Sequence, residues 1–547
     1  MIRGYSAEAI RAAEAPLLAA GVPLMRHAAL ALALTAMSEI RARGQRVAGS
    51  VTLSLVGGGN NGGDALWAAA ELARRGVQSW AALCAPSVHE EGLAACRAAG
   101  VRIVRVVPEA AAESPAPRRE SAEVLADDAA RDHEESATLP GRAVPRRDGD
   151  ATRTEAPAPL PEGAPTAVLA IADLHALLAA ARRAGVWIDG LAGIGVRGAL
   201  REPLRSIVEA LDSERRSSPD EPVVIAVDVP SGISDAGTAP EAVLPAHVTV
   251  TMGAAKPGLL LPPADVLAGR IDVVELGLPL NPAHATVARW TAADAVDAIA
   301  WPRWEDHKYT RGVVGIAAGT EQYPGAGRLA SEGALACGIG MVRYLGELEG
   351  MPHTLPEVVT APGRVQALVL GPGGAGLDLG LRPVPVVLDA AAVERRARTV
   401  HPAGAILTPH AGELAALLGM ERAEVEANPE AAAVRAAREC RAVVMLKGAV
   451  TVVAVPDDGP VLTIDAGTAW LATAGTGDVL AGITGALVAS RQARAEEEGG
   501  TLGLRELGEI AASAAWLHGE ASREIGGPLR ASDLPRAVTR VLHRLAP

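Results

Sequence analysis

The glycine-rich stretch at residues 473–482 (Thr-Ala-Gly-Thr-Gly-Asp-Val-Leu-Ala-Gly) has the residue types needed to bind and transfer a phosphoryl group. Gly475 and Gly477 free the backbone to turn, and the N–H groups from Thr476 onward can form an anion hole at the start of a helix. Asp478 is then placed to deprotonate a hydroxyl that attacks the terminal phosphate of a nucleotide. The alternative is an aspartate that only caps the helix, but the flanking glycines favour the first interpretation.

Two further polar segments follow predicted strands in the same half of the chain. Residues 408–413 (Thr-Pro-His-Ala-Gly-Glu) contain His410, and residues 447–451 (Lys-Gly-Ala-Val-Thr) begin with Lys447. Ligands bind at the carboxyl ends of the strands in open α/β sheets, so we expect both segments to lie at a site. A histidine in isolation is more often a core or capping residue, and the neighbours of His410 favour a site residue.

Lysine is scarce in this chain, which makes the few lysines informative. Of the 51 basic residues only Lys256, Lys308 and Lys447 are lysines, and each lies in a glycine-rich or histidine-rich segment. Arginine can replace lysine where a surface charge suffices, but not where a compact point charge is needed. We therefore predict that at least two of the three lysines lie in binding sites.

The first half of the chain carries a different set of polar motifs. Residues 57–64 (Gly-Gly-Gly-Asn-Asn-Gly-Gly-Asp) lie between an apolar run and a helical pattern, which suits close approach of an anion such as a pyrophosphate. The adjacent Asn60 and Asn61 offer amide oxygens to a hard cation. Asp189 and Asp228 each close a further predicted strand, where a carboxylate can act as a base or a ligand. A plain turn and simple capping residues are the alternatives.

These motifs, with residues 228–232 (Asp-Val-Pro-Ser-Gly) and 251–259 (Thr-Met-Gly-Ala-Ala-Lys-Pro-Gly-Leu), closely resemble the N-terminal epimerase domain of NAD(P)HX repair enzymes. The resemblance extends from residue 1 to about residue 280. It implies a Rossmann-like, three-layer αβα domain that interconverts the R and S epimers of hydrated NADH and NADPH. It also implies that Asn61, Asp189 and Ser231 bind a potassium ion, and that Asp228 is catalytic and touches the hydrated ring. The substrate-binding residues that it implies are Asn60, Asn61, Gly62, Gly63, Asp64, Gly193, Ile194, Gly195, Val196, Arg197, Gly198, Ala199 and Asp228.

The motifs of the second half resemble, in the same order along the chain, the ADP/ATP-dependent NAD(P)H-hydrate dehydratase domain of the ribokinase-like superfamily. Residues 307–308, 323–326, 371–373 and 389–390 add to this resemblance, which covers about residues 300–547. It implies that Asp478 is the catalytic base while a hydroxyl of the hydrate is phosphorylated and then eliminated, with ADP or ATP and Mg²⁺ as cofactors. The implied contacts to the hydrated dinucleotide are Ala326, Gly373, His410 and Asp478. The implied contacts to the adenine nucleotide are Lys447, Gly448, Ala449, Val450, Thr451 and Gly477.

Composition limits the remaining possibilities. A chain of 547 residues is too long for one core, and a net charge of −13 argues against a nucleic-acid partner. No apolar run is long enough to span a bilayer, and the four cysteines lack metal-binding spacing. We expect a cytoplasmic, multi-domain homo-oligomer whose partners are NADHX, NADPHX and an adenine nucleotide, with no membrane or nucleic-acid partner.

Alternating apolar runs and helical patterns predict a parallel α/β architecture in both halves. We predict an epimerase domain over residues 1–285 and a dehydratase domain over residues 295–547, with a linker within residues 275–300. Residues 108–166 are rich in Pro, Glu, Arg and Ser, which predicts a disordered insertion in the first domain. The predicted strands are 51–56, 80–83, 185–189, 223–228, 313–317, 367–370, 386–389, 405–407 and 443–446, and helices are expected at about 64–75 and 200–213.

One alternative function stays open on the sequence. A ribokinase-like kinase for a small molecule shares the glycine-rich loop at residues 473–482, and the first half would then be a non-catalytic binding module. The segments at 408–413 and 447–451 argue against such a kinase. The joint presence of Asn61, Asp189, Asp228 and Ser231 favours an active first half.

Overall fold

The computed structural model of the protein describes residues 1–106, 169–170, 174–193, 199–348, 350–375, 380 and 382–546. The predicted insertion at residues 108–166 lies outside the described residues. So do five of the predicted substrate-binding residues: Ile194, Gly195, Val196, Arg197 and Gly198.

The first half of the chain alternates strands and helices. Its elements in chain order are β1 (Ile2–Gly4), α1 (Ala7–Ala19), α2 (Leu24–Ala42), β2 (Val51–Val56), α3 (Asn60–Arg74), β3 (Gln78–Leu83), α4 (Glu90–Ala98), β4 (Arg102–Arg105), β5 (Leu169–Ala170), α5 (Leu174–Ala181), β6 (Val186–Gly190), α6 (Leu204–Ser217), β7 (Val223–Val227), β8 (Val248–Met252) and β9 (Arg270–Val274).

Eight of these strands form one parallel sheet in the order β5-β4-β3-β2-β6-β7-β8-β9. Helices α2 and α3 pack on one face, and α5 and α6 pack on the other. Because both faces are covered, the central strands are nearly continuous apolar runs instead of alternating ones. This arrangement brings the carboxyl ends of β2, β6, β7 and β8 to one edge of the sheet.

The second half adds a larger sheet. Its elements are β10 (Val287–Arg289), α7 (Ala292–Ala298), β11 (Val313–Ala317), α8 (Pro324–Ala336), β12 (Met341–Tyr344), α9 (Met351–Thr354), β13 (Val358–Val359), β14 (Ala367–Leu370), β15 (Val386–Leu388), α10 (Ala391–Arg396), β16 (Ala405–Leu407), α11 (Ala411–Leu418), α12 (Arg422–Ala427), α13 (Pro429–Cys440), β17 (Val443–Leu446), β18 (Val450–Ala454), β19 (Val461–Asp465), α14 (Thr476–Glu497), α15 (Leu504–Ile525) and α16 (Leu534–Leu545).

The eleven strands of the second sheet run in the order β1-β10-β19-β18-β17-β16-β15-β14-β11-β12-β13. The strands from β13 to β17 in this order are parallel, whereas β18 is antiparallel to both of its neighbours. Helices α8, α14 and α15 cover one face, and α10, α11 and α13 cover the other. The predicted α/β class with layered helices is therefore confirmed in both halves.

The two sheets do not divide the chain at a single point. Strand β1 pairs with β10, and β10 pairs with β19, so residues 2–4 belong to the second sheet. The region predicted as a linker, residues 275–300, contains β10 and α7 and is thus part of the second half. We keep 1–285 and 295–547 as a proposed functional division, because each range holds one set of motifs.

Among the described residues, no single helix is both long and apolar enough to cross a membrane. Helices α1 and α2 reach that length and composition only as a pair, with a bend of 112° between them.

Candidate active sites

The first candidate site is a cavity of about 510 Å³ at the carboxyl ends of β2, β6, β7 and β8. Its polar lining includes Glu14, Asn61, Asp64, Asp228 and Lys256. Helices α1 and α2 contribute apolar side chains to the opposite wall. The sheet edge and these two helices therefore enclose a space of mixed character, to which α1 also contributes the charged side chains of Arg11 and Glu14.

Glycine is required where α3 meets the neighbouring strand loop. A methyl group on Gly57 would overlap the carbonyl oxygen of Leu191, and a methyl group on Gly193 would lie 2.5 Å from Oδ1 of Asn61. Helix α3 begins at Asn60, directly after an extended Gly59. Close packing thus holds the predicted anion-binding turn and Asn61 against the loop after β6.

Asp189, at the end of β6, is fully buried and held by hydrogen bonds. It accepts them from the Ser231 hydroxyl at 2.6 Å, the Ser231 N–H at 2.8 Å and the Leu191 N–H at 3.2 Å. Burial raises the pKa of Asp189, and the hydrogen bonds from Ser231 and Leu191 oppose that rise. Asn61 donates to the carbonyl of Val227 at 2.6 Å, next to the same strand ends. Two predicted potassium ligands, Asp189 and Ser231, are in direct contact.

Asp228 follows β7 with a φ of 69°, a left-handed conformation that is rare for a residue other than glycine. Its Oδ1 atom accepts hydrogen bonds from the Nζ of Lys256, from the Met252 N–H at 3.0 Å and from Thr251 at 3.3 Å. Lys256 is only 1% exposed and also donates to the Met252 carbonyl at 2.9 Å. A buried ion pair therefore holds the carboxylate of Asp228 in the cavity wall, on a residue whose backbone is strained.

Two more carboxyl groups line the same cavity. Burial, together with the negative charges of Asp228 and Glu14, raises the pKa of Asp64 well above its ordinary value. Burial also raises the pKa of Glu14, and Lys256 partly offsets this effect. Perturbed carboxyl groups in a cavity are typical of acid–base sites, and Asp64 is suited to donate a proton.

The remaining predicted residues of this site lie in the first turn of α3 and in the segment after β6. Asn60 is exposed at the start of α3, and Gly62 and Gly63 are buried in the first turn of that helix. Gly193 contacts Asn61, and Ala199 is exposed.

The second candidate site lies at the start of α14. Asp478 is in the first turn of this helix, which follows Gly475 with a φ of 90°. Burial, reinforced by the negative charge of Asp389, raises the pKa of Asp478 to about 6, and Lys447 opposes this rise. A carboxylate with such a pKa is mainly ionised near neutral pH and is well suited to accept a proton.

Lys447, at the end of β17, donates to Oδ1 of Asp389 at 2.8 Å. The same oxygen accepts from the hydroxyl of Thr408 at 2.7 Å. Burial works to lower the pKa of Lys447, but Asp389 and Glu413 outweigh it, so the pKa is raised. The ammonium group therefore stays charged beside Asp478. A methyl group on Gly477 would lie 3.5 Å from it, so Gly477 and Lys447 are also adjacent.

His410 has two structural roles. It caps α11 by accepting the Glu413 N–H on Nδ1 at 3.1 Å, while its own N–H donates to Glu413 at 2.9 Å. Its backbone is bridged to Lys447, and its side chain is 60% exposed. His410 therefore caps a helix and also lines the cavity beside Lys447, and its contact with the hydrated dinucleotide stays a prediction.

Ala326 and Gly373 lie next to each other. A methyl group on Gly373, which has a φ of 65°, would lie 2.9 Å from the Cβ of Ala326. The same helix α8 reaches the start of α14, where a methyl group on Gly475 would lie 2.6 Å from Leu329. Helix α8 thus connects this pair to the loop that carries Asp478.

Lys447, Gly448, Ala449 and Val450 line a cavity of about 520 Å³ together with His410 and α12. Thr451 is buried in β18, opposite Ile464. Four of the five residues predicted at 447–451 to bind a nucleotide therefore share one cavity.

Sequence reasoning missed Glu14 entirely, and it singled out Lys256 and Asp389 without giving either a role at a site. The scarcity of lysine pointed to Lys256 and Lys447, and both prove to be paired with a buried aspartate. Asp389 follows a strand as Asp189 and Asp228 do, which could have suggested its role as the partner of Lys447. Nothing in the sequence pattern singles out Glu14.

The residues described form no group of three or more His, Cys, Asp or Glu side chains able to hold a metal ion. The predicted potassium ligands Asn61, Asp189 and Ser231 instead form a set of oxygen donors with a single carboxylate.

Together the two sheets and the residues at their edges define an α/β protein with two candidate sites, one in each half. Residues 21–258 match the family model described as YjeF-related protein N-terminus, and residues 314–542 match the one described as NAD(P)H-hydrate dehydratase. The chain is 37% identical to the bifunctional NAD(P)H-hydrate repair enzyme Nnr of Mycobacterium tuberculosis, over 89% of each chain. It is 39% identical to the NAD(P)H-hydrate epimerase of Clavibacter michiganensis, over 52% of this chain and 94% of that protein.

Among solved structures, an ADP/ATP-dependent NAD(P)H-hydrate dehydratase from Bacillus subtilis, co-crystallized with ATP and Mg²⁺, is 26% identical with a TM-score of 0.41, covering 47% of this chain and 99% of that one. From the sequence relatives, the chain belongs to the family of bifunctional NAD(P)H-hydrate repair enzymes and carries both the epimerase and the dehydratase domains.

Proposed function

We propose that the first half of this protein interconverts the R and S epimers of NADHX and NADPHX, and that the second half dehydrates the S epimer at the expense of ADP or ATP. The observation that carries the proposal is that one chain of this family holds two candidate sites, each with a lysine-paired aspartate near an additional carboxyl group whose pKa is raised. One half then supplies the epimer that the other consumes.

In the first site, epimerisation requires the hydroxyl at C6 of the hydrate to leave as water and to return on the other face. Asp64 supports this chemistry because its raised pKa suits a group that protonates the departing hydroxyl. Asp228 faces the same cavity, with its charge balanced by Lys256, and would receive the proton when water adds back. The hydrate regains its hydroxyl, and the cycle closes when the proton taken up by Asp228 returns to Asp64 through solvent, so that atoms and charge balance.

A potassium ion is part of this proposal. Asn61, Asp189 and Ser231 would hold it, since hard monovalent and divalent cations prefer oxygen ligands. The fully buried carboxylate of Asp189 supports the assignment, because a cation would offset the cost of its burial. Bound there, potassium would supply positive charge between the segments that follow β6 and β7.

We expect potassium, but not sodium or choline at the same ionic strength, to raise the melting temperature of the wild type. Asp189→Asn should lose this response.

In the second site, Asp478 would take the proton of the C6 hydroxyl as its oxygen attacks the terminal phosphate. The free N–H groups at the start of α14 and the ammonium of Lys447 would stabilise the transferred phosphoryl group. The C6–O bond then breaks, phosphate leaves, and loss of a proton from the adjacent carbon restores the dihydropyridine. Mg²⁺ would arrive with the nucleotide and bind mainly through its phosphates.

The test is to incubate purified protein with mixed-epimer NADHX and with ADP or ATP, and to follow the return of dihydropyridine absorbance. We expect recovery to require nucleotide and to consume both epimers. Transfer of phosphate to another small molecule, with no recovery of NADH, would instead favour the ribokinase-like kinase with a non-catalytic first half. The preferred nucleotide, the homo-oligomer and the cytoplasmic location remain predictions.

A further inference from the structure

The cavity beside Lys447 is lined by both halves of the chain. Residues 447–450 and His410 form one side, and Pro262, Pro263, Asp265 and Val266 of the first half form the other. The first half therefore reaches into the cavity that holds the predicted nucleotide-binding segment.

The loop at residues 262–266 is fixed to the second sheet by one arginine. Arg289, in β10, donates to Oδ2 of Asp265 at 3.0 Å and to the carbonyl of Leu260 at 3.0 Å. Its Nε donates to Thr463 of the neighbouring strand β19 at 3.0 Å. Behind the loop, Leu260 and Leu261 pack in an apolar cluster with Val287 of β10. The loop thus has a defined position relative to the cavity.

Asp265 has one oxygen without a hydrogen-bond partner. The side chain is only 5% exposed, and Oδ1 is buried without a hydrogen-bond partner among the described residues. Burial raises the pKa of this carboxyl group, although Arg289 and the nearby backbone N–H of Val266 oppose that rise. An unsatisfied buried carboxylate oxygen is costly, which points to a donor that is supplied by a ligand. Val266, by contrast, is 68% exposed and presents an apolar surface beside it.

We propose that this loop of the first half is part of the adenine nucleotide site of the second half. The inference rests on the proposed function. Asp265 accepts a hydrogen bond through Oδ1 from a neutral donor at the nucleoside end, either a sugar hydroxyl or the amino group of the base. Phosphates are excluded from this position because a carboxylate repels them, and they lie instead toward Lys447 and the start of α14. Pro262, Pro263 and Val266 cover the nucleoside.

The test uses the full chain with the substitutions Asp265→Asn, Val266→Glu and, as a matched control, Val273→Glu. Asparagine at this position keeps one side-chain oxygen that can accept from Arg289. It places an NH₂ donor where the wild type has the unpaired Oδ1 acceptor. Val273 is also partly exposed, at 37%, but lies on β9 and does not line the cavity. For each protein the measurements are the dehydratase KM for ADP and for ATP, kcat at saturating nucleotide, the epimerase rate, the melting temperature, and the Kd of ADP alone by calorimetry.

We expect Asp265→Asn to raise KM and Kd for the nucleotide about tenfold or more, since a lost hydrogen bond to a charged group has that effect. Val266→Glu should raise both by a similar factor, because it places a charge on the apolar surface that covers the nucleoside. The kcat and epimerase rate of both variants should match the wild type, and Val273→Glu should match it throughout. The melting temperature of Val266→Glu should also be unchanged, whereas Asp265→Asn should lower it because Arg289 loses its charge partner. Wild-type KM and Kd in both variants would overturn the inference, as would equal losses of stability and both activities. If Asp265→Asn does not fold, Val266→Glu alone decides. Failure of the wild type to recover NADH with nucleotide would count against the proposed function itself.

Discussion

The two candidate sites contain the same kind of lysine–aspartate ion pair and differ in the additional carboxyl group beside it. Each has a lysine paired with an aspartate at the carboxyl end of a strand: Lys256 with Asp228, and Lys447 with Asp389. In each, a residue other than glycine adopts a positive φ, at Asp228 in one and directly after Asp389 in the other. The first site adds Asp64, whose pKa is raised well above its ordinary value, whereas the second adds Asp478 with a pKa of about 6.

This difference indicates opposite roles for the additional carboxyl groups. A carboxyl group whose pKa is raised well above its ordinary value is suited to donate a proton to a departing hydroxyl, and one with a pKa of about 6 can accept a proton from an attacking hydroxyl. We therefore propose that the same pair of residue types supports acid assistance in the first half and base assistance in the second. The burial of each carboxyl group and the charges near it determine which of the two roles it suits.

The largest effect that we predict is on stability, from Lys256→Met. Lys256 is 1% exposed, so its removal leaves the charge of Asp228 buried without compensation, which costs about 3–5 kcal/mol. A loss of roughly 10 °C in the melting temperature of the first half should follow. Lys447→Met is the matched comparison; because its side chain is 22% exposed, it should cost less. Equal losses in the two variants would contradict the view that the first pair is the more deeply buried.

The next largest effect is on catalysis, from Asp478→Ala. Loss of the positioned base should slow nucleotide-dependent recovery of NADH by a hundredfold or more, which corresponds to about 3 kcal/mol of barrier. Epimer exchange should be unchanged, because Asp478 lies in the second half. Asp465→Ala, at an exposed carboxylate, is a suitable control. Near-normal turnover of Asp478→Ala would remove this residue from the mechanism.

A smaller effect on rate is expected from Asp228→Asn, in addition to a loss of stability because the substitution weakens the same buried ion pair. The substitution keeps the size and one acceptor but removes the carboxylate, so epimerisation should slow while the dehydratase is unaffected. With mixed epimers, the S fraction should be repaired quickly and the remainder slowly, since only spontaneous epimerisation would feed the second site. Single-phase recovery at equal rates from pure R and pure S hydrates would falsify the assignment. It would favour a first half that binds without catalysis.

The sequence predicted the strands more fully than the sites. Apolar runs at residues 51–56 and 313–317 coincide with β2 and β11, because buried parallel strands are continuous runs of such residues. Helix α3 starts at Asn60, about four residues before the prediction, because the glycine-rich turn itself winds into the first turn.

Non-local pairings account for the features that were not predicted. Strands β1 and β10 have three residues each and pair across 285 positions, which no local pattern reveals. Likewise Lys256 and Asp228 each stood out in the sequence, but their ion pair depends on β7 and β8 being neighbours in the sheet. The site chemistry was therefore predictable by residue type, while partners and protonation depended on the fold.

The smallest effect that we predict is a gain in stability from Asp478→Asn, and it depends on pH. The folded protein raises the pKa of Asp478 from 3.8 to about 6, so folding favours the protonated form. Stability from this group is complete below the ordinary pKa and is lost as the pH rises through about 6. Above that pH the wild type bears the cost of a poorly solvated charge that Asn does not carry. Because the side chain is partly exposed, solvent screening should reduce this cost to about 1 kcal/mol, or a few degrees in melting temperature. Melting curves should therefore show the inactive variant as the more stable protein near neutral pH, with the difference shrinking as the pH is lowered toward the ordinary carboxyl value. A constant difference in melting temperature across that range would mean that the charge of Asp478 does not cause it. The view that the second site contains a carboxyl group with a raised pKa would then lose its support.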